Sequence, residues 1–212
     1  MFNPRIEPIS DANIFGPLAD PLALFDQWLT AAEASEPNDP NAAALATCTP
    51  EGMPSVRMVL AKQIDDPQAG FQRFCIFTNV ESRKGGEIVA NPRAALCFHW
   101  KSLRRQIRVE GSLTPLSSKA SDDYFHSRSR GSQISAAVSD QSRPLANKEL
   151  LLDRAAAFTQ AHSEEIPRPD YWRGFYLTPE RIEFWISGDN RLHDRVLFVR
   201  DGEAWRRSRL YP

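Results

Sequence analysis

Apolar positions along the chain follow two rhythms, one helical and one extended. Between Asp20 and Pro37, Leu22, Phe25, Trp28, Leu29 and Ala32 fall at the spacing that gathers side chains on one helical face. Asp20 suits the cap and Pro21 the first turn, so a helix is expected to open there and to end near Pro37. From Ala42 the rhythm shortens to two residues. Strands are predicted over 42–49, 55–61, 71–78, 94–100 and 106–113, with a turn at Pro50-Glu51-Gly52 after the first. In the second strand Val56, Met58 and Leu60 share one face and Arg57, Val59 and Ala61 the other, because side chains alternate. Arg57 is thereby fixed to a strand face, where a charge among apolar neighbours needs a partner.

Short helices are predicted over 82–90, 117–127 and 132–138, and a longer one over 147–161 with Leu150, Leu151, Phe158 and Ala161 on its apolar side. Strands return over 174–177, 181–185, 195–200 and 203–210, the last two joined by Asp201-Gly202, a strong hairpin signal. Many short strands with helices inserted between them point to a mainly β, α+β fold, an antiparallel small barrel rather than a doubly wound sheet. Residues 1–19 carry Pro4, Pro8, Gly16 and Pro17 without periodicity and read as a flexible arm; 20–212 read as a single domain.

Composition narrows the possibilities. Twenty-six Lys and Arg against twenty-seven Asp and Glu leave a formal charge of -1, so no global field recruits nucleic acid or an acidic membrane, and any anion must be caught locally. Cys48, Cys75 and Cys97 are odd in number and widely spaced, each in an apolar run, and read as buried thiols rather than disulfides or metal ligands. No segment approaches the length of a membrane span, and the N-terminus has neither a basic start nor an apolar stretch, so a cytoplasmic protein is expected.

Glycine-rich nucleotide loops, HExxH and GxSxG are absent. What stands out is a set of short cationic clusters beside small hydroxyl residues. They are Arg57 with Lys62, Ser82-Arg83-Lys84, the stretch from Tyr124 to Ser132 with its two arginines, and Arg191-Leu192-His193-Asp194-Arg195. A phosphomonoester carries close to two charges and several acceptor oxygens, and calls for guanidinium forks, ammonium charge, hydroxyls and a helix start. Ser82-Arg83-Lys84 offers one such site; Tyr124, Arg128 and Ser132 offer a second. Two phosphate sites suggest a phosphorylated cofactor beside a phosphorylated substrate. Each cluster also has an ordinary reading: a capped helix with solvated charges, an aromatic Trp185 that belongs to a core or interface, and an Arg206-Arg207-Arg209 run that forms an exposed strand face. His99, His126 and His162 read as structural or surface residues.

Taken in order, the clusters resemble the pyridoxamine 5′-phosphate oxidase family from Asp20 to Pro212. The blocks that carry the likeness are 57–62 (RMVLAK), 77–79 (FTN) with 82–84 (SRK), 105–111 (RQIRVEG), 124–128 (YFHSR), Gln141-Ser142, 182–185 (IEFW) and 191–195 (RLHDR). The resemblance implies an antiparallel split β-barrel that binds FMN at the subunit interface of a homodimer. It implies that Arg57, Thr78, Arg83 and Lys84 hold the FMN phosphate, helped by Met58, Val59, Leu60 and Lys62, with Phe77 beside Thr78. Gln106, Gln141, Ser142, Trp185 and Arg195 would meet the flavin ring and ribityl chain, some from the opposite subunit. Lys62, Tyr124, Arg128 and Ser132 would take the substrate phosphate, and Arg191 with His193, the expected catalytic pair, its pyridine ring. Pyridoxamine or pyridoxine phosphate would be oxidised, with dioxygen as acceptor and no metal. Ser129, Gly131 and Ile186-Ser187 depart from the family pattern, which bears on substrate preference more than on cofactor binding. Other readings are a flavin oxidase of phenazine type, and a carrier of FMN or pyridoxal phosphate without turnover.

Overall fold

The computed structural model describes residues 20–212; the arm expected over 1–19 lies outside them. The elements in chain order are α1 (Pro21–Ser35), β1 (Ala42–Cys48), β2 (Pro54–Leu60), β3 (Lys62–Asp66), β4 (Gly70–Asn79), α2 (Arg83–Ala90), β5 (Arg93–Trp100) and β6 (Arg105–Pro115). There follow α3 (Ser118–Ser127), α4 (Arg130–Val138), α5 (Lys148–Ala161), β7 (Trp172–Ile186), a 3-10 turn (Asp189–Arg191), β8 (Asp194–Asp201) and β9 (Ala204–Arg209). The hydrogen-bonded order is β2-β1-β5-β6-β7-β4-β3, with β8 on β7 and β9 on β8. β1 with β2, β3 with β4, β4 with β7, β7 with β8 and β8 with β9 all pair antiparallel. The mainly antiparallel architecture is the one expected, and the path is not closed.

The described chain divides into two compact units. The first comprises residues 20–41, 97–109 and 179–212. Asp20 caps α1 by accepting from the Leu22 N–H at 2.9 Å, and Pro21 occupies the first turn. The buried stripe is Leu24, Phe25, Trp28, Leu29 and Ala32; Leu24 takes the buried place expected of Leu22, which is only half covered. Phe25 meets Phe98 edge-on at 5.3 Å and Trp28 meets Phe184 at 5.1 Å, pairs worth about 0.5–1.5 kcal/mol beyond their buried area. The Trp100 indole donates to the Pro40 carbonyl at 2.7 Å, so its polar atom is satisfied in the core.

The second unit comprises residues 42–96 and 110–178. Its core includes Leu45, Phe74 and Ile76, and a cluster of Phe125, Ile166 and Trp172 against which Phe77 and Tyr124 pack. β2 alternates as expected, but its apolar face is the outward one: Val56 is 68%, Met58 65% and Leu60 45% exposed.

Several expectations need correction. β3 is absent from the predicted strands, because Lys62, Gln63, Asp65 and Asp66 hide its alternation; the buried Asp66 carboxylate instead accepts from the N–H groups of Gln68, Ala69 and Ser117. The two strands predicted over 174–177 and 181–185 are one strand. Pro179 does not break it, because it falls between the part of β7 that pairs with β4 and the part that pairs with β8. α4 begins two residues earlier than predicted, since Ser129 serves as its cap. α5 buries none of its residues fully, and Leu150 is exposed. Cys75 is buried, whereas Cys48 and Cys97 are only partly covered; all three are free thiols. Among the described residues no helix is long and apolar enough to cross a membrane, and no group of metal-binding side chains occurs.

Candidate active site

The cationic cluster of the second unit starts from a close approach of backbones. Ser82 caps α2, its hydroxyl accepting from the Gly85 N–H and donating to the Asn79 carbonyl at 2.6 Å. A Cβ at Gly85 would lie 2.3 Å from the Asn79 oxygen and 2.5 Å from Val80 Cα, so only glycine lets this first turn rest on the end of β4. Arg83 and Lys84 are thereby carried to the strand end. Arg57, from β2, finds the partner its burial demands in Glu87 of α2, Nη2 to Oε2 at 3.4 Å. Thr47 and Ser55 donate their hydroxyls to the same carboxylate and accept from Arg57 in turn. Arg83 reaches the other oxygen, Nε to Oε1 at 3.1 Å. Burial by itself would raise the Glu87 carboxyl, but the hydrogen bonds from Ser55, Thr47 and Arg83, with the charge of Arg57, bring it down to about 2. Lys84 is lowered from the ordinary lysine value, first by burial and then by the charge of Arg57; its ammonium donates to Gln141 Oε1 at 2.7 Å.

Beside this cluster lies a cavity of about 550 Å³. Met58, Val59 and Leu60 of β2 form one side, Phe77, Thr78 and Asn79 at the end of β4 another, and Lys84 and Gln141 reach it from α2 and the loop after α4. Tyr124 enters from α3 and Arg128 from the cap that ends it. Ser129, Ser132, Ser135, Ala136 and Ser139 line it along α4 and its flanks. Phe77 stacks with both Tyr124 and Trp172, with ring centroids 4.0 and 5.1 Å away and planes within 22° and 15°, and those two rings lie 6.3 Å from each other. The Arg128 guanidinium stands 5.1 Å over the Trp172 ring, and its buried Nη1 has no hydrogen-bond partner among the described residues. Burial lowers Arg128 and raises Tyr124 from their ordinary values. A buried, unpaired guanidinium nitrogen beside hydroxyls suits an anionic oxygen.

Ten of the expected site residues therefore line one cavity: Met58, Val59, Leu60, Phe77, Thr78, Lys84, Tyr124, Arg128, Ser132 and Gln141. Arg57 and Arg83 do not line it; they are turned to Glu87. Lys62 is half-buried on β3, and Ser142, with a φ of 71°, lines a smaller cavity of about 330 Å³ with Leu150 and Arg154. Glu87, Asn79, Trp172 and the serines at 129, 135 and 139 join the site without having been expected there. Glu87 does leave a signal in the sequence, since it stands four residues after Arg83 on a predicted helix.

The remaining expected residues lie in the first unit. Gln106 is half-buried on β6. Arg195 donates from Nε to Glu183 at 2.8 Å and from Nη1 to the Tyr211 carbonyl at 2.8 Å, and the bond to Glu183 raises its pKa. The Trp185 and His193 rings sit 4.7 Å apart. The Gly188 N–H donates to His193 Nδ1 at 3.2 Å, which leaves the proton of the neutral ring on Nε2. Arg191 is exposed in the 3-10 turn with a φ of 68°.

Residues 29–162 match the family described as "Pyridoxamine 5'-phosphate oxidase", and residues 172–212 match "Pyridoxine 5'-phosphate oxidase C-terminal dimerisation region". A pyridoxine/pyridoxamine 5′-phosphate oxidase of Rhodospirillum rubrum is 55% identical over 194 residues, 91% of this chain and 96% of its own. One from Gluconobacter oxydans is 51% identical over 205 residues, covering 96% of this chain and all of its own. Among solved structures, PhzG from Burkholderia lata 383 in complex with tetrahydrophenazine-1-carboxylic acid superposes with a TM-score of 0.84 at 32% identity, covering 92% of this chain and 94% of its own. A pyridoxamine 5′-phosphate oxidase-related, FMN binding protein from Nostoc punctiforme shares the fold, with a TM-score of 0.71 at 17% identity over 91% of this chain and 98% of its own.

Proposed function

The chain belongs to the pyridoxamine 5′-phosphate oxidase family, oxidoreductases and flavoproteins of vitamin B6 metabolism, and from that premise we propose a cytoplasmic FMN-dependent oxidase that forms pyridoxal 5′-phosphate. Its substrates are pyridoxamine and pyridoxine 5′-phosphate. Dioxygen takes up two electrons to become hydrogen peroxide, and the amine substrate also consumes water and releases ammonia. The observation that carries this reading is the single cavity in which Lys84, Tyr124, Arg128 and Ser132 converge on a wall of aromatic and apolar side chains.

The residues present fit the cofactor. Arg57, Thr78, Arg83 and Lys84 hold the FMN phosphate, with the β2 stretch Met58–Leu60, Lys62 and Phe77 alongside. Gln106, Gln141, Ser142, Trp185 and Arg195 meet the ring and ribityl chain, some of them from the second subunit of a homodimer. FMN held there would supply the hydride acceptor. The protein's own task is orientation. Lys62, Tyr124, Arg128 and Ser132 take the substrate phosphate, and the unpaired Nη1 of Arg128 gives that anion a buried donor. Arg191 and His193 hold the pyridine ring, His193 through the proton on Nε2. A homodimer also accounts for the outward apolar face of β2, which is otherwise a large exposed patch, and the dimerisation region matched over residues 172–212 supports it. Three strands, β5, β6 and β7, pass through both compact units, which supports treating 20–212 as one domain.

The test is anaerobic addition of pyridoxamine 5′-phosphate to the FMN-loaded protein. The flavin absorbance should bleach, and air should then yield pyridoxal phosphate and peroxide in equal amounts. Unchanged absorbance with either vitamer defeats the substrate assignment. The likeness to PhzG favours a second reading, oxidation of a larger aromatic acid; bleaching by a phenazine precursor and not by either phosphate ester would establish it. Arg191→Ala should retain FMN and lower kcat/KM for the phosphate esters by about 100-fold. Loss of flavin from a folded variant would place Arg191 in the cofactor site instead.

A further inference from the structure

Glu87 is a buried acid in a region otherwise suited to anions. It is 6% exposed, in the second turn of α2, and both of its oxygens are used. Oε1 takes the Nε of Arg83; Oε2 takes Thr47, Ser55 and the Nη2 of Arg57. A carboxylate placed only to balance charge needs no such division of its oxygens. Two guanidiniums from separate elements, a strand and a helix, are instead each set by a different oxygen of one rigid group. Three cations, Arg57, Arg83 and Lys84, stand against this one carboxylate, leaving two positive charges, which matches a phosphomonoester near neutral pH. Lys84 is lowered first by burial and then by the charge of Arg57, as expected of cations gathered without their anion.

We propose that Glu87 is a positioning residue for the phosphate end of FMN, aiming Arg57 and Arg83 through its two oxygens. The inference rests on the FMN reading above. A glutamine at this position keeps the shape but offers one acceptor oxygen and one N–H₂ donor. One arginine would then face a donor and turn away. The gain of one net positive charge works in the opposite direction, toward tighter anion binding. The loss of aim wins, because a charge-assisted, oriented hydrogen bond exceeds a partly screened change in field.

The test is titration of flavin-stripped wild type, Glu87→Gln and Ser55→Ala with FMN and with riboflavin, which lacks only the phosphate, followed by flavin fluorescence. Glu87→Gln should weaken FMN by about tenfold and leave riboflavin within about twofold. Ser55→Ala removes a hydroxyl shared by Glu87 and Arg57 and should show a smaller loss with the same selectivity; it decides the matter if Glu87→Gln does not fold. Equal loss for both flavins would make Glu87 merely structural, and tighter FMN would make it merely a counter-charge; either overturns the proposal. If wild type itself binds riboflavin as well as FMN, the phosphate-site reading falls first, and the two failures are told apart by that control.

Discussion

Two buried glutamates, one in each unit, are built alike and left in different states. Glu183 on β7 is 4% exposed and, like Glu87, lies between two arginines, accepting from Arg195 at 2.8 Å and pairing with Arg108 at 3.1 Å. Arg195 then spends a second donor on the Tyr211 carbonyl, so the group fastens β6, β7, β8 and the chain end together. Around Glu87 the partners are two hydroxyls and two arginines, and a third cation, Lys84, stands close enough to Arg57 to be depressed by it. The same motif therefore serves as a rivet where one positive charge remains over the carboxylate, and as a sight where Lys84 raises that surplus to two. A buried ion pair alone distinguishes neither; the surplus does.

The sharpest way to break this comparison is to remove each acid. Glu183→Gln strands two partly buried arginines and should cost about 2–4 kcal/mol of stability, read by urea unfolding. If it instead unfolds like wild type, the rivet reading fails. Next in size, Lys84→Ala removes the surplus cation and should weaken FMN by about 1.5–3 kcal/mol in a flavin titration, with little change in unfolding. Unchanged FMN affinity would take Lys84 out of the site. The smallest expected effect concerns acid. Glu87 ionises in the folded protein at about 2, below the ordinary glutamate value of 4.5, so its contribution to stability is full above pH 4.5 and is lost as pH falls through about 2. Unfolding curves between pH 6 and 3 should show Glu87→Gln losing less stability on acidification than wild type; parallel curves would contradict the network drawn around it.

Much of the fold is legible in the order of residues alone. The α1 helix with its Asp20 cap, the helix starts near 82 and 147 and the Asp201-Gly202 hairpin follow from local rules, although Leu24 takes the place expected of Leu22 and Ser82 and Asn147 cap their helices rather than open them. β3 escapes them, because a strand of Lys, Gln and Asp carries no apolar alternation to read. The continuity of β7 through Pro179 depends on which strands pair with it on either side, information that no short window holds. In the site, cations are easy to pick out because charge among apolar residues is conspicuous. Glu87 is less conspicuous, since a helical glutamate ordinarily faces water and only its place four residues after Arg83 marks it. Trp172 hides for the opposite reason, as one more core aromatic, although it lies beneath Arg128 and forms part of the cavity wall.

Gly85 has no functional group, yet it imposes a strict limit on how this protein can change. The charged residues around it can be exchanged for others of similar reach with graded losses, whereas one extra carbon at position 85 has nowhere to go but into the neighbouring main chain. The helix start would have to lift, carrying Arg83 and Lys84 with it. An engineer seeking to retune the anion preference therefore has several side chains to vary and one blank position to leave alone.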